Sequence, residues 1–221
     1  MKKKLFLALL IFCLPCICFA CGRSTVDMIK DNLSEVTKTY YFAEGEDFYC
    51  VLSSGQREIE YLMDGQSGEV TDFGLLNVGF YEVRTDKVIK ANVSIGRQTF
   101  EKELELNTLN NLYMTDLEVF YDINEDIVVE VDGKSVILQK LSSDFQVDYE
   151  EALEIASKEL KEEIVSKKHF NTLNAECYLR ILDKKANNFD EFFWCFTVLN
   201  NDNESFSVII STQDGSILAK S

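Results

Sequence analysis

The 221-residue chain has one histidine, His169, one proline, Pro15, and ten scattered glycines. Each scarcity removes a class of chemistry. A single histidine excludes His-rich zinc sites and the His-Glu-x-x-His arrangement of metalloproteases. No glycine-rich phosphate loop occurs. Ser53-Ser54-Gly55 lacks the flanking glycine of a nucleophile elbow and reads as a turn between strands. Cys50 and His169 are the one nucleophile–base pair to weigh, and they lie in segments expected to fold separately. Asp122-x-Asn124-x-Asp126 starts like a calcium loop. Its sixth and twelfth positions are Ile127 and Gly133, where glycine and glutamate are required. That stretch and Asp202-Asn203-Glu204 therefore read as solvated turns. Positive charge is scarce too, with 22 basic residues against 38 acidic ones. Such a chain is repelled by nucleic acid. The expectation is a protein with no catalytic residues, no metal, no cofactor and no nucleic-acid partner.

What is present at the N-terminus is a leader. Met1-Lys2-Lys3-Lys4 is positively charged, and Leu5–Ala20 is an uncharged run of 16 residues. As a helix that run reaches roughly 24 Å, short of the roughly 30 Å hydrocarbon core, and Pro15 interrupts it. Small residues precede Cys21, so residues 1–20 are expected to be a signal peptide cut before Cys21. No later apolar run is long enough to span a bilayer. Ile17-Cys18-Phe19-Ala20-Cys21-Gly22 resembles a bacterial lipobox. That resemblance implies lipidation of Cys21 and a protein anchored outside the cytoplasm on the cell membrane. Cys18 stands where the pattern has leucine, so soluble secretion is the alternative. Losing Lys2, Lys3 and Lys4 leaves 19 basic residues against 38 acidic, a net charge of −19. A surface of that sign keeps an exported protein soluble but does not hold it on anionic lipid.

The mature chain has ample core material, with 46% hydrophobic residues and 16 phenylalanines. Ser24 to Val36 reads as a short helix, with Ser24 as cap and a stripe of Val26, Ile29, Leu33 and Val36. From residue 39 to 141 the period changes to two. Strands are expected over Asp47–Ser53, Asp72–Val83, Lys87–Ile95, Gln98–Leu106, Asp116–Tyr121, Asp126–Val131 and Ser135–Lys140, with a tight hairpin at Asp132-Gly133. Seven short strands without intervening helices predict an antiparallel sandwich; a barrel or a single curved sheet is the alternative. A helix capped by Asp148 follows and runs to Lys167, with Leu153, Ala156, Leu160 and Ile164 on its buried stripe. Strands follow at Ala175–Leu182, Glu191–Leu199, Phe206–Ser211 and Ile217–Lys220. The fold class expected is α+β. A β-sandwich-like domain (39–141), preceded by the N-terminal segment 21–38, would be followed by a helix-plus-antiparallel-sheet domain (142–221).

The thiols left after export and acylation are Cys50, Cys177 and Cys195. Cys177 and Cys195 fall on strands expected to be neighbours. A disulfide between them is one reading, and buried free cysteines the other. Tyr40-Tyr41-Phe42 and Phe192-Phe193-Trp194 place rings on both faces of a strand. Some of these rings must fill a domain interface or form an exposed patch.

The final stretch resembles a PepSY-type domain. The resemblance rests on the helix Glu151-Ala152-Leu153-Glu154-Ile155-Ala156, the strand Phe193-Trp194-Cys195-Phe196-Thr197-Val198, Ser207-Val208-Ile209-Ile210-Ser211, and Gln213-Asp214-Gly215-Ser216-Ile217-Leu218. It covers residues 142–221. Thr212-Gln213 stand where the family often has an earlier aspartate, and Asp183–Asp190 is a long insert. The resemblance implies a noncatalytic module with a peptidase-inhibiting or chaperoning role. Together these readings predict an exported, lipid-anchored envelope protein that binds a protein or peptide partner. A peptidase regulator acting through residues 142–221 is the alternative, and a hydrolase built on scattered carboxylates is the third reading.

Overall fold

The computed structural model describes residues 23–59, 67–117, 125–170, 172–202 and 204–221. Cys21 and the leader lie outside this range, as do Asp122 and Asn124. Strand makes up 55% of the described residues and helix 16%, so the fold is mainly β.

Helix α1 (Thr25–Lys30) starts where Ser24 Oγ accepts from the Asp27 amide, and the same hydroxyl donates to Asp27 Oδ2 at 2.6 Å. That bond holds the Asp27 carboxyl below its usual range. The helix ends early because Asn32 Nδ2 donates to the Met28 carbonyl at 2.7 Å. The chain then enters β1 (Leu33–Glu44), twelve residues long. The strands β2 (Phe48–Glu58), β3 (Val70–Phe80), β4 (Val88–Ile95), β5 (Gln98–Asn107), β6 (Leu112–Asp116), β7 (Ile127–Val131) and β8 (Lys134–Lys140) follow. They pair antiparallel in the order β1-β2-β3-β6-β5-β4-β7-β8, and β8 returns to β1. The result is a closed eight-stranded antiparallel barrel. The β7–β8 hairpin turns on Asp132 and Gly133, both at positive φ, as a two-residue turn requires.

A 3-10 turn (Leu141–Ser143) leads to α2 (Tyr149–Glu159), capped by Asp148, whose carboxylate accepts from the Glu151 amide at 2.9 Å. Leu160 leaves helical geometry, so the single long helix expected is two: α2 and α3 (Lys161–Ser166). A small hairpin, β9 (Lys168–His169) and β10 (Thr172–Leu173), precedes β11 (Ala175–Leu182). Then come α4 (Lys184–Asn187), β12 (Phe193–Asn200), β13 (Ser205–Ser211) and β14 (Ile217–Lys220).

The expected sandwich followed by a separate helix-plus-sheet domain is not what forms. Strands β14-β13-β12-β11 continue the barrel sheet, because β11 pairs in parallel with the first part of β1. Leu33, Glu35 and Val36 face β11, whereas Tyr41 and Phe42 close the barrel on β8. One strand therefore belongs to both parts. Period-two alternation describes a sandwich and a barrel equally well, since both bury one face of each strand. The strand that decides between them is β1, which the helical stripe through Val36 concealed.

Three cores result. The barrel interior is filled by side chains that include Tyr41, Phe48, Leu52, Leu76, Leu104 and Ile127. A second core lies where α1, α2 and α3 cover one face of β11–β13, with Trp194, Phe196 and Leu153 at its centre. The buried Trp194 indole donates to the Val147 carbonyl at 2.9 Å. The third core, Tyr40, Tyr49, Val51 and Phe192, sits on the outside of the barrel wall.

Candidate functional site

An eight-stranded barrel is just wide enough for side chains to fill, and here apolar side chains fill it. Three clefts open at one end of it. A cleft of about 670 Å³ is bounded by Phe42–Phe48 and by Lys134–Ile137. A second, of about 550 Å³, adjoins it through Glu46, Asp47, Phe48 and Lys134 and extends to Phe80–Arg84. A third, of about 290 Å³, continues past Phe80–Arg84 to Asn111 and Tyr113. The three form one strip around the barrel rim.

Ion pairs order that rim. Lys134 pairs with Asp47, and Arg84 pairs with Asp132 and with Asp86, the latter at 3.1 Å. Arg84 also lies 4.5 Å from the centre of the Phe80 ring. Glu44 accepts from Lys185 Nζ and from Tyr81 Oη, each at 2.8 Å. These partners, Lys185 first, hold the Glu44 carboxyl below its usual range. Tyr49 stacks over Gly79, where an added Cβ would lie 2.4 Å from its ring.

A second polar group lies where β1, β2 and β11 meet. The buried Glu58 carboxylate accepts from Ser34 Oγ at 2.8 Å and from the Gly68 amide. The buried Tyr178 hydroxyl donates to Glu176. Burial first, and Glu176 second, push that hydroxyl far above its ordinary pKa. Arg180 forks onto Glu35 with bonds of 2.8 and 3.2 Å. None of the three clefts described above reaches these residues; their bonds join β1, β2 and β11.

The residues singled out in the sequence are spread over the molecule. Cys50 lies in the barrel core, whereas His169 stands on an exposed hairpin beside Phe170; the two do not meet. Cys50, Cys177 and Cys195 are free thiols. Strands β11 and β12 are neighbours, but Cys177 pairs across with Val198 and Cys195 with Arg180. The two thiols point to opposite faces, Cys177 into the helix-covered core and Cys195 away from it. In the Asp202 turn, Asn200 Oδ1 accepts from the Asp202 and Glu204 amides, and Glu204 pairs with Lys167. Among the described residues no group of three or more His, Cys, Asp or Glu is placed to hold a metal ion, and no helix is long and apolar enough to cross a membrane.

Sequence reading passed over the rim. It is built from the turns of three hairpins, β1–β2, β5–β6 and β7–β8, and from the β3–β4 connection, segments far apart in sequence. Compared with family models, with curated proteins and with solved structures, the chain shows no match in any of the three.

Proposed function

We propose that this chain is exported, held outside the cytoplasm by a lipid on Cys21, and works without catalysis by binding a protein or peptide partner. The observation that carries the reading is the contrast between a solidly packed barrel interior and a strip of open clefts around one rim. Such a surface suits a polypeptide rather than an enclosed small molecule. The leader and the Ala20-Cys21-Gly22 junction support export and acylation. Geometry adds a reason for the anchor. Strand β1 starts just after α1 and ends at the rim, and its twelve residues span roughly 35 Å. A lipid near α1 would hold one end at the bilayer and present the rim to partners at the other.

Mass spectrometry of the N-terminal peptide from the membrane fraction tests the anchor. A diacylglycerol-modified Cys21 is expected, and Cys21→Ala is expected to release the protein into the medium. An unmodified Cys21 in membrane-bound protein, or the uncleaved leader on protein from the cytosol, overturns the reading. A photo-crosslinking residue at Glu46 is expected to trap an envelope protein, while one at Lys158 on α2 is not.

One observation favours a second reading, peptidase regulation through residues 142–221. All four residues of β14 are exposed, and its outer edge has no strand partner among the described residues. Slowing of a secreted protease by the full chain, lost when Leu218 is changed to proline, would favour this reading over the rim.

A further inference from the structure

We infer that the β9–β10 hairpin is a second membrane contact. The Phe170 ring at its tip enters the bilayer interface beside the Cys21 lipid, and the two together hold the barrel with its rim pointing away from the lipid surface. The inference rests on the reading above that Cys21 is acylated.

Topology puts the hairpin and the anchor at one end. Strand β11 runs parallel to β1, with Leu33 opposite Cys177, so both start at the end away from the rim. The hairpin stops at Leu173, and β11 begins at Ala175. The Asn174 amide on the Lys167 carbonyl, at 3.3 Å, closes its base. Helix α1 packs against β10 and α3, where Met28 and Ile29 share a core with Ile164 and Leu173. Arg23 pairs with Asp31, which ties the first described residue to α1. Cys21 is two residues earlier in the sequence, so its lipid is attached within about 7 Å of Arg23. A lipid there brings this end of the molecule to the bilayer.

The tip is shaped for a contact outside the protein. His169 pairs with Thr172, which leaves Phe170 in the turn between them, at φ +56°. Glycine or asparagine adopts that left-handed geometry readily; a bulky side chain rarely does. Here it carries an aromatic ring into solvent. Phe170 is 85% exposed and meets His169 edge-on, with ring centres 4.6 Å apart. Val165, on the helix that leads into the hairpin, is 48% exposed as well.

Charge permits the contact. From Ile164 to Ala175 there is no acidic residue, and Lys167 and Lys168 precede the ring. Glu204, from the β12–β13 turn, is already paired with Lys167. An aromatic ring with lysines behind it suits the headgroup boundary, where rings settle and lysine heads stay hydrated. One ring does not hold an acidic chain on a membrane by itself. Beside a lipid it is kept at high local concentration over the bilayer, and a second point of contact stops the chain pivoting on the first.

The test uses the mature chain from Cys21 onward with Cys195→Ser. Cys50 and Cys177 are buried, so Cys21 is the accessible thiol, and it is coupled to a maleimide phospholipid in phosphatidylcholine vesicles. Phe170→Trp is compared with Leu109→Trp, which lies in the β5–β6 turn at the rim and is 94% exposed. The signal of the buried Trp194 is subtracted from both. With phosphatidylcholine brominated on its upper acyl carbons, the Phe170→Trp emission is expected to fall by about half and that of Leu109→Trp to stay almost unchanged. Both positions are exposed, so neither change disturbs a core. No loss at Phe170→Trp, or equal loss at the two positions, overturns the inference; the first result would leave the ring to water or to a protein partner. Because the lipid is attached chemically, neither result depends on whether the cell acylates Cys21. Failure of the hairpin contact is thus separable from failure of the anchor, which the mass of the native N-terminal peptide decides.

Discussion

The Tyr40 hydroxyl donates a 2.6 Å hydrogen bond to Asp183 Oδ2, joining residues 143 positions apart. Tyr40 belongs to the barrel wall, and Asp183 opens the arm between β11 and β12. The arm folds onto the barrel through aromatic contacts. Phe192 meets Tyr40 edge-on, with ring centres 5.2 Å apart, and meets Phe42 at 6.2 Å. Lys184 lies over the Phe42 and Phe192 rings, and Lys185 reaches Glu44. The insert that departs from the PepSY-type pattern is thus a clamp between the barrel and the strands added to it. The clamp also holds one wall of the rim, because Glu44 borders the 670 Å³ cleft.

Removing the clamp's central bond gives the first prediction. Tyr40→Phe keeps the ring and its contacts and loses one hydrogen bond to a carboxylate. The cost is expected to be about 1–2 kcal/mol, because the half-buried Asp183 regains water. Urea unfolding followed by Trp194 fluorescence measures it. A single transition is expected for both proteins, since β1 and the arm join the two parts. Two separate transitions in the wild type would contradict the clamp.

The second prediction is a pH dependence. Burial, and then the Asp183 charge, raise the Tyr40 hydroxyl well above its ordinary pKa of 10.0. A raised folded-state pKa means stability that is complete below pH 10 and is lost as pH climbs above it. Thermal midpoints of the wild type are therefore expected to fall above pH 10, and those of Tyr40→Phe to fall less. In acid the sign reverses. Glu44 is depressed below 4.5, first by Lys185 and then by Tyr81. Its contribution is present above that value and fades as pH drops below it, and its exposure to solvent keeps the loss small. Equal alkaline slopes for the two proteins would remove the Tyr40 assignment.

Several strands were legible from alternation alone, but their closure into a barrel was not, since the expected sandwich buries the same faces; the Asp132-Gly133 turn fell where its residue types require. Strand β1 was hidden. Its bulges after Leu33 and after Thr37 break the period of two. The spacing of Val26, Ile29, Leu33 and Val36 imitates a helix across the α1–β1 junction. Sequence also joined α2 and α3, because Leu160 keeps the apolar stripe while leaving helical geometry. The rim was illegible for a different reason. Its parts are distant in sequence, and each is an ordinary turn by itself. The leader and Cys21 are readable only as sequence.

The β1 bulge yields the third prediction. Opposite it stands Gly55, where an added Cβ would lie 1.9 Å from the Val36 carbonyl oxygen and 3.0 Å from the Lys38 amide nitrogen. Neither atom can move without breaking the ladder that both halves of the sheet share. Gly55→Ala is expected to cost about 3 kcal/mol or more, the upper range for overpacking. Gly133→Ala provides the contrast. Nothing lies within 4 Å of its added Cβ, but φ is +76°, so about 1–2 kcal/mol of backbone strain is expected. Chemical denaturation of both variants checks the order. A milder effect at Gly55 than at Gly133 would show that the bulge relaxes.

The three thiols give the last prediction. Burial raises the Cys50 thiol to about 12 and pushes Cys177 higher still. Neither forms a thiolate near neutrality, and neither meets solvent. Cys195 is half-buried, on the sheet face away from the helices, with Thr197 Oγ1 3.8 Å from its sulfur. Iodoacetamide at pH 8 is expected to alkylate Cys195 alone in the native protein, and all three thiols in urea, as read by peptide mass spectrometry. Substitution separates the pair in the same way. Cys177→Ser places a hydroxyl in the apolar core beneath the helices and is expected to cost about 1–3 kcal/mol, while Cys195→Ser stays within about 0.5 kcal/mol. Recovery of a peptide bridging Cys177 to Cys195 from exported protein would contradict this, because a bridge would require one thiol to pass through the sheet.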